Sequence, residues 1–256
     1  MSDGPVLCAF DASEPSLLAA HAAGWLSGAL RAPLELVYVM DRDDLPALPR
    51  TGEPVNPHTR DALYEIQERI AEADAREDIE RMVAALPHAD VTGSVLTGRP
   101  AVVIRQRAVD CGAALLVSGT AARRGLQHLL RGSVSGALAA EAPCPVVVVA
   151  PDDALREPGP VLVGDDGSEH ALRALRCAEA LAARLGRELV SLHVEEGDPV
   201  EGLARAARER RACLAVTGTR GRGPLRGELL GSVSAGLVRT AGRPVMLVSA
   251  HAEAAT

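Results

Sequence analysis

The residues with the strongest claim to chemistry lie between Gly218 and Ser234. Gly218-Thr-Arg-Gly221 is followed by nine residues and then by Gly231-Ser232-Val233-Ser234. The apolar run Leu214-Ala215-Val216 precedes the stretch, and a helical pattern follows it. This order predicts a strand end, a loop and a helix start. A helix start offers unpaired N–H groups and a partial positive charge, so it suits a phosphate. Glycine lets backbone N–H groups approach an anion closely. Ser232 and Ser234 add hydroxyl donors, and Arg220, Arg222 and Arg226 make the loop locally basic. The alternative for those arginines is a solvated loop.

An earlier stretch repeats this one with a defect. Gly119, Gly132, Ser133 and Ser135 match Gly218, Gly231, Ser232 and Ser234, but Ala122 stands where Gly221 would be. If that position needs positive φ, alanine there is strained by about 1 kcal/mol or more. Its methyl would also intrude where a phosphate would sit.

Other chemistries find no support. There is no Gly-x4-Gly-Lys-Ser/Thr, Gly-x-Ser-x-Gly or His-Glu-x-x-His pattern. The seven histidines are scattered, and His193 reads as a packed histidine on a core strand. Asp11 and Asp166 could act as bases, but neither has an evident nucleophile beside it. The five cysteines form no C-x-x-C pair and read as small buried hydrophobes in a reducing compartment. A net charge of −7 with 2% aromatics argues against a nucleic-acid partner. No basic-then-apolar leader opens the chain, and no apolar run reaches membrane-span length, so a cytoplasmic protein is expected.

The elements that would position the loop alternate in type. Val6–Phe10, Leu34–Val39, residues 91–96, residues 113–118 and Val146–Val149 read as strands. Helices are expected from Ser13-Glu-Pro15, over 61–86 through Leu63, Ile66, Ile70, Ala73, Ile79, Met82 and Leu86, from Pro100, and after Ser135. Residues 41–60, rich in proline, read as irregular. Such alternation implies parallel strands in an α/β sandwich. A polar, proline-bounded linker over 151–159 follows, and the chain then begins again. Gly4 to Glu14 matches Gly159 to Glu169, and residues 98–150 align without a gap onto 197–249. This is the mark of a duplication. The second copy passes from a strand at Leu189–Val194 straight to Gly197-Asp-Pro199 and a helix through Arg211. It lacks the long helix and the third strand. The expected units are a complete one over 1–150 and a truncated one over 160–250, with sheet order 3-2-1-4-5 reduced to 2-1-4-5.

The strand ending in Asp before Ser-Glu, the Gly-x-x-Gly-x9-Gly-Ser stretch and the following Pro-Val-x-x-Val resemble the universal stress protein family, in tandem form over nearly the whole chain. The resemblance implies two flavodoxin-like (adenine nucleotide alpha hydrolase-like) domains, and ATP or another adenine nucleotide as ligand, with or without Mg2+. Carried over by position, Gly164, Asp165 and Asp166 would lie against the adenosine, and Val194 would meet the base through its backbone. Thr217 and Gly218 would approach the ribose, and Gly221, Gly231, Ser232, Val233 and Ser234 would cradle the phosphates. The first-copy counterparts are Asp11, Val39, Gly119, Gly132, Ser133 and Ser135. There Phe10 replaces Asp165, and its ring could fill the adenosine pocket. Val146–Val149 and Val245–Val248 are apolar edge strands, expected to pair with each other within the chain or with another chain. Three readings follow: a nucleotide-binding stress sensor, an adaptor that binds no nucleotide, and a slow ATPase or autophosphorylating protein. The first is preferred, and no catalytic residue is assigned.

Overall fold

The computed structural model describes residues 2–44, 56–87, 90–121, 134–194, 197–219 and 231–252. Its first five strands are β1 (Val6–Phe10), β2 (Leu34–Met40), β3 (Val91–Thr97), β4 (Leu115–Gly119) and β5 (Val146–Val149). Between them run α1 (Glu14–Leu30), α2 (Pro57–Ala85), α3 (Pro100–Asp110) and α4 (Val134–Glu141). The second half holds β6 (Val161–Gly164), α5 (Glu169–Leu185), β7 (Leu189–Leu192), α6 (Pro199–Glu209), β8 (Leu214–Gly218), α7 (Ser232–Thr240) and β9 (Val245–Val248).

The strands form one nine-stranded sheet in the order β3-β2-β1-β4-β5-β9-β8-β6-β7. Within each half every pairing is parallel, giving 3-2-1-4-5 and then 2-1-4-5 as expected. The one antiparallel pairing joins the halves: Val146 faces Leu247, Val147 faces Met246 and Val148 faces Val245. These are the two apolar edge strands, and each covers the other. Both are buried along their whole length. Leu34, Leu115, Val147, Leu214 and Met246 are among those that pack beneath α1 and α5, and Leu116, Val146, Leu162 and Leu247 among those that pack on the opposite face.

Several boundaries move. Residues 41–60 are not wholly irregular: Arg42–Asp44 is a short 3-10 helix, and α2 already starts at Pro57. Proline is tolerated there because a first-turn residue has no intrahelical N–H bond to lose. The strand expected over Leu189–Val194 ends at Leu192, so His193 lies past it and is exposed instead of packed in a core. The helix expected through Arg211 stops at Glu209, because Arg211 adopts a φ of 51°. The expected apolar stripe of α2 is buried only at Ile79, Met82 and Leu86, joined by Ala75. Four of the five cysteines are buried, and burial pushes the Cys144 thiol up to about 12, which keeps it protonated.

The edge of the first half is held by a buried carboxylate. Glu35 of β2 is 8% exposed and accepts from Arg107 of α3 at 3.0–3.1 Å and from Ser94 of β3 at 2.8 Å. Such a pairing satisfies a charge that would otherwise be costly to bury.

Candidate functional site

In a doubly wound sheet the ligand crevice lies at the carboxyl ends of the strands, where the strand order reverses. In the first half that point lies between β1 and β4. The chain leaves β1 through Asp11, whose carboxylate accepts the Ser13 N–H at 3.0 Å and the Ser13 hydroxyl. The Asp11 N–H donates to the Ser16 hydroxyl at 3.3 Å. The second half repeats the turn: Asp165 accepts the Gly167 N–H at 2.8 Å, and Asp166 accepts the Ser168 N–H at 2.9 Å. Ser168 in turn caps α5 by accepting the Ala171 N–H at 3.1 Å. These carboxylates therefore shape the helix-start turns, which places them at the crevice rim.

Gly119 and Gly218 end β4 and β8 against those helix starts. A Cβ at Gly119 would stand 2.2 Å from the Pro15 carbonyl oxygen, and one at Gly218 would stand 2.8 Å from the His170 carbonyl oxygen. Pro15 and His170 are equivalent positions, so glycine is needed here for close packing of strand end on helix. Just before them Ser118 and Thr217 are buried, and each hydroxyl donates to the following glycine carbonyl at 3.3 Å. Gly164 ends β6 beneath Leu203 of α6, which a Cβ would meet at 2.8 Å.

The helix start of α7 has a glycine N-cap, Gly231, with no side-chain cap. Gly231 donates its N–H to the Thr219 carbonyl at 2.7 Å. The Ser234 hydroxyl donates to Gly231 and Thr219 carbonyls at 3.0 and 3.3 Å, and Ser234 is 1% exposed. Ser234 thus ties the two ends of the loop together. Ser232 is exposed and Val233 half-buried, and they carry the first-turn N–H groups of α7. Gly221, Arg220, Arg222 and Arg226 lie outside the described residues, as do Ala122, Gly132 and Ser133. Ser135 is buried at 3%, as its counterpart Ser234 is.

A cavity of about 410 Å3 opens at the first-half crevice, lined by Phe10, Asp11, Tyr38, Val39, Asp41 and Gly119 among others. Phe10 does not fill it. Its ring is buried with the α1 side of the core and meets Tyr38 edge-on, with centroids 6.5 Å apart and planes at 71°. Burial, then the charges of Asp11, Asp78 and Asp74, push the Tyr38 phenol up, so it stays a neutral donor. No Lys or Arg lines the cavity among the described residues. Tyr38 and Asp41 were missed in the sequence. Phe10 and Tyr38 are paired in register across β1 and β2, so two of the chain's few aromatics meet at one strand end.

The second half replaces this aromatic pair. Asp165 stands for Phe10 and His193 for Tyr38, and the Nδ1 of His193 meets the Asp165 carbonyl. Val194 turns toward Gly202 of α6, whose Cβ would meet it at 3.0 Å. Among the described residues no group of three His, Cys, Asp or Glu could hold a metal, and no helix is long and apolar enough to cross a membrane.

Comparison with known proteins agrees with this geometry. The chain is 29% identical to Universal stress protein Rv2005c of Mycobacterium tuberculosis over 84% of its own length and 86% of the relative's. It is 34% identical over 145 residues to a Thermus aquaticus universal stress protein, covering 56% of this chain and 96% of that one. A crystal structure of a universal stress protein from Archaeoglobus fulgidus superposes with a TM-score of 0.62 at 21% identity, over 97% of both chains. Residues 4–150 and 189–249 match the model of the Universal stress protein family, and with the tandem sheet and its two crevices in view, this chain belongs to that family.

Proposed function

We propose that this universal stress protein is a cytoplasmic binding protein that takes up an adenine nucleotide and acts as a sensor or regulator in the stress response. The observation that carries the reading is the first-half cavity. Its volume of about 410 Å3 falls within the usual range for small-molecule sites, and it lies at the switch point of the sheet. Aromatic and aliphatic walls from Phe10, Tyr38, Val39 and Ile104 suit a flat base, and Asp11 and Asp41 suit hydroxyl and amino donors. The phosphates would be met at the start of α4, by Gly132, Ser133 and the N–H groups of the first turn. With no basic side chain in the described lining, Mg2+ or another cation would offset their charge.

Gly164, Asp165, Asp166, Val194, Thr217, Gly218, Gly221 and Gly231–Ser234 are the equivalent site in the second half. Its first-turn N–H groups support an anion, but its base side lacks the wall that α2 gives the first through Ala71. The adaptor reading rests on the same lining, since a pocket without cations does not favour a triphosphate.

Titration of ATP, ADP and AMP against four proteins separates these readings. Wild type should bind with micromolar to millimolar affinity. Val39→Glu should lose at least about tenfold, while Gly221→Ala should retain binding and Ala122→Gly should match or exceed wild type. Loss in Gly221→Ala but not in Val39→Glu would move the site to the second half. Silence of wild type at millimolar nucleotide would leave the adaptor.

A further inference from the structure

Helix α2 carries apolar residues on two opposite sides. Its C-terminal half packs on β2 and β3, with Ala75, Ile79 and Met82, and Leu86 just past its end, each no more than 5% exposed. In its N-terminal half Leu63, Ile66 and Ile70 are 39%, 52% and 56% exposed. Ile70 and Ile79 are nine positions apart, about two and a half turns at 3.6 residues per turn, so they point in opposite directions. Glu68 is about three turns from Ile79, on the inner side, where it pairs with Arg42 of the 3-10 helix at 2.8 Å. The stripe therefore faces away from the body of the protein. The helix has 29 residues, about 44 Å, while a seven-residue strand spans about 23 Å, so much of this half projects beyond the sheet.

The spacing of the stripe names its partner. Leu63, Ile66, Ile70 and Ala73 follow one another at three, four and three residues, all exposed. This is the a-d-a-d seam of a coiled coil, which a helix of the same spacing fills by knobs-into-holes packing. The flanks agree. With Leu63 at a, Arg69 falls at g and Asp74 at e. In a parallel pair a g residue meets the e residue five positions on in the other helix. Arg69 would meet Asp74 of the partner subunit, twice by symmetry. Neither makes an ion pair within the chain among the described residues. The seam stops at Glu77, the next a position, where two like charges would face each other.

We propose that the projecting half of α2 is a self-association arm, which a second copy of this chain covers through the same stripe in parallel. The arm is already helical as a continuation of the half that packs on the sheet, so association does not bear the cost of helix nucleation. A seam of two heptads is short, and the dimer it makes is reversible and concentration-dependent.

Sedimentation velocity of the full chain from low to high micromolar tests this. Wild type should shift from monomer to dimer. Ile66→Glu and Ile70→Glu, at exposed positions that leave the circular dichroism unchanged, should weaken the dimer at least about tenfold. Asp74→Arg and Arg69→Asp should each be monomeric alone and dimerise when mixed. Ile70→Cys should cross-link to itself on oxidation beyond wild type, as a parallel seam requires. A wild type that stays monomeric at every concentration overturns the proposal, whether or not it then binds lipid vesicles or another protein. So does a dimer indifferent to Ile66→Glu, or charge variants that fail to recover on mixing.

Discussion

The two halves fold the same four strands in the same order, yet their outer strands live in different surroundings. In the first half β2 lies between β1 and β3, beneath α2, and its first four residues are buried. In the second half β7 is the sheet edge, no counterpart of α2 covers it, and no residue of it is fully buried. The side chains follow. Leu36, Tyr38 and Phe10 on the covered face become Ser191, His193 and Asp165 on the open one. Glu35, which holds β3 through Ser94 and α3 through Arg107, becomes Val190, and Arg107 becomes Ala206. Losing a strand and a helix therefore came with polar residues where the apolar face would have met water, and with removal of a charge whose partners had gone. The edge so produced is short, four residues, and Ser191 is the exposed position within it. The cost falls on the crevice. The aromatic wall that bounds the first-half cavity has no equivalent in the second half.

If the halves are the same at their strand–helix junctions, the same change should injure both, in proportion to the space each has. Gly119→Ala would drive a methyl into the backbone of Pro15, and Gly218→Ala into that of His170, with room greater by 0.6 Å, the difference between 2.8 and 2.2 Å. Overpacking costs typically 1–3 kcal/mol, so Gly119→Ala should lose about 3 kcal/mol and Gly218→Ala about 1 kcal/mol. Urea denaturation reads both. Equal losses would mean that the α1 and α5 starts yield alike, and that the tighter contact at Gly119 has no energetic meaning.

Much of this was legible in the chain. The repeated Gly-Pro-Val-Leu start and the gap-free match of 98–150 onto 197–249 carried the strand order, and the apolar runs Val146–Val149 and Val245–Val248 pointed to a paired seam, though not to its antiparallel sense. These signals are local, or repeated, so one sequence suffices to see them. What was not legible depends on which element lies over which. Leu63, Ile66 and Ile70 have helical spacing, and so do Ile79 and Met82, but spacing does not say that the sheet ends halfway along the helix. His193 looked like a core residue because its strand reads as apolar, and the missing helix above it leaves it exposed. The glycine pattern pointed to the second half as the site. The cavity at the switch point lies in the first, where Phe10 and Tyr38 supply walls, whereas the second half has a cavity of about 770 Å3 between α6 and α7 that reaches Ser232.

The turn after each seam strand offers a second test, through pH. After β5, Asp153 accepts the Ala150 N–H at 2.8 Å. After β9 its counterpart is Ala252, and the Ser249 hydroxyl does the work, accepting the His251 and Ala252 N–H groups at 3.1 and 3.0 Å. Burial pushes the Asp153 carboxyl up to about 7, against the lowering effects of the Ala150 hydrogen bond and of Arg243. Because the folded value lies above the unfolded one, the folded state holds the proton more tightly. The contribution of Asp153 to stability is full at acidic pH, declines between about pH 4 and pH 7, and is absent above. Asp153→Asn removes the charge. It should match wild type near pH 4 and exceed it by about 2 kcal/mol at pH 8. A difference that does not change with pH would show that Asp153 titrates normally and that its charge costs the first turn nothing.

The smallest test is the sharpest, because it compares one backbone position with itself. Ala12 and Gly167 follow Asp11 and Asp166, and their φ values are 59° and 67°. The same left-handed turn is thus built once with alanine and once with glycine. An L-residue there pays about 1–2 kcal/mol of strain, and glycine pays about 0.4–1 kcal/mol more chain entropy on folding. The difference favours glycine by roughly 0.5–1 kcal/mol. Ala12→Gly should stabilise by that amount, and Gly167→Ala should destabilise by the same. If the two effects are equal and opposite, the turns are equivalent and alanine is simply tolerated in the first half. If Ala12→Gly destabilises instead, the methyl packed against the α1 side of the core contributes more than its strain costs. That would set the turn beside the aromatic wall apart from its twin and make it part of what keeps the first-half crevice formed.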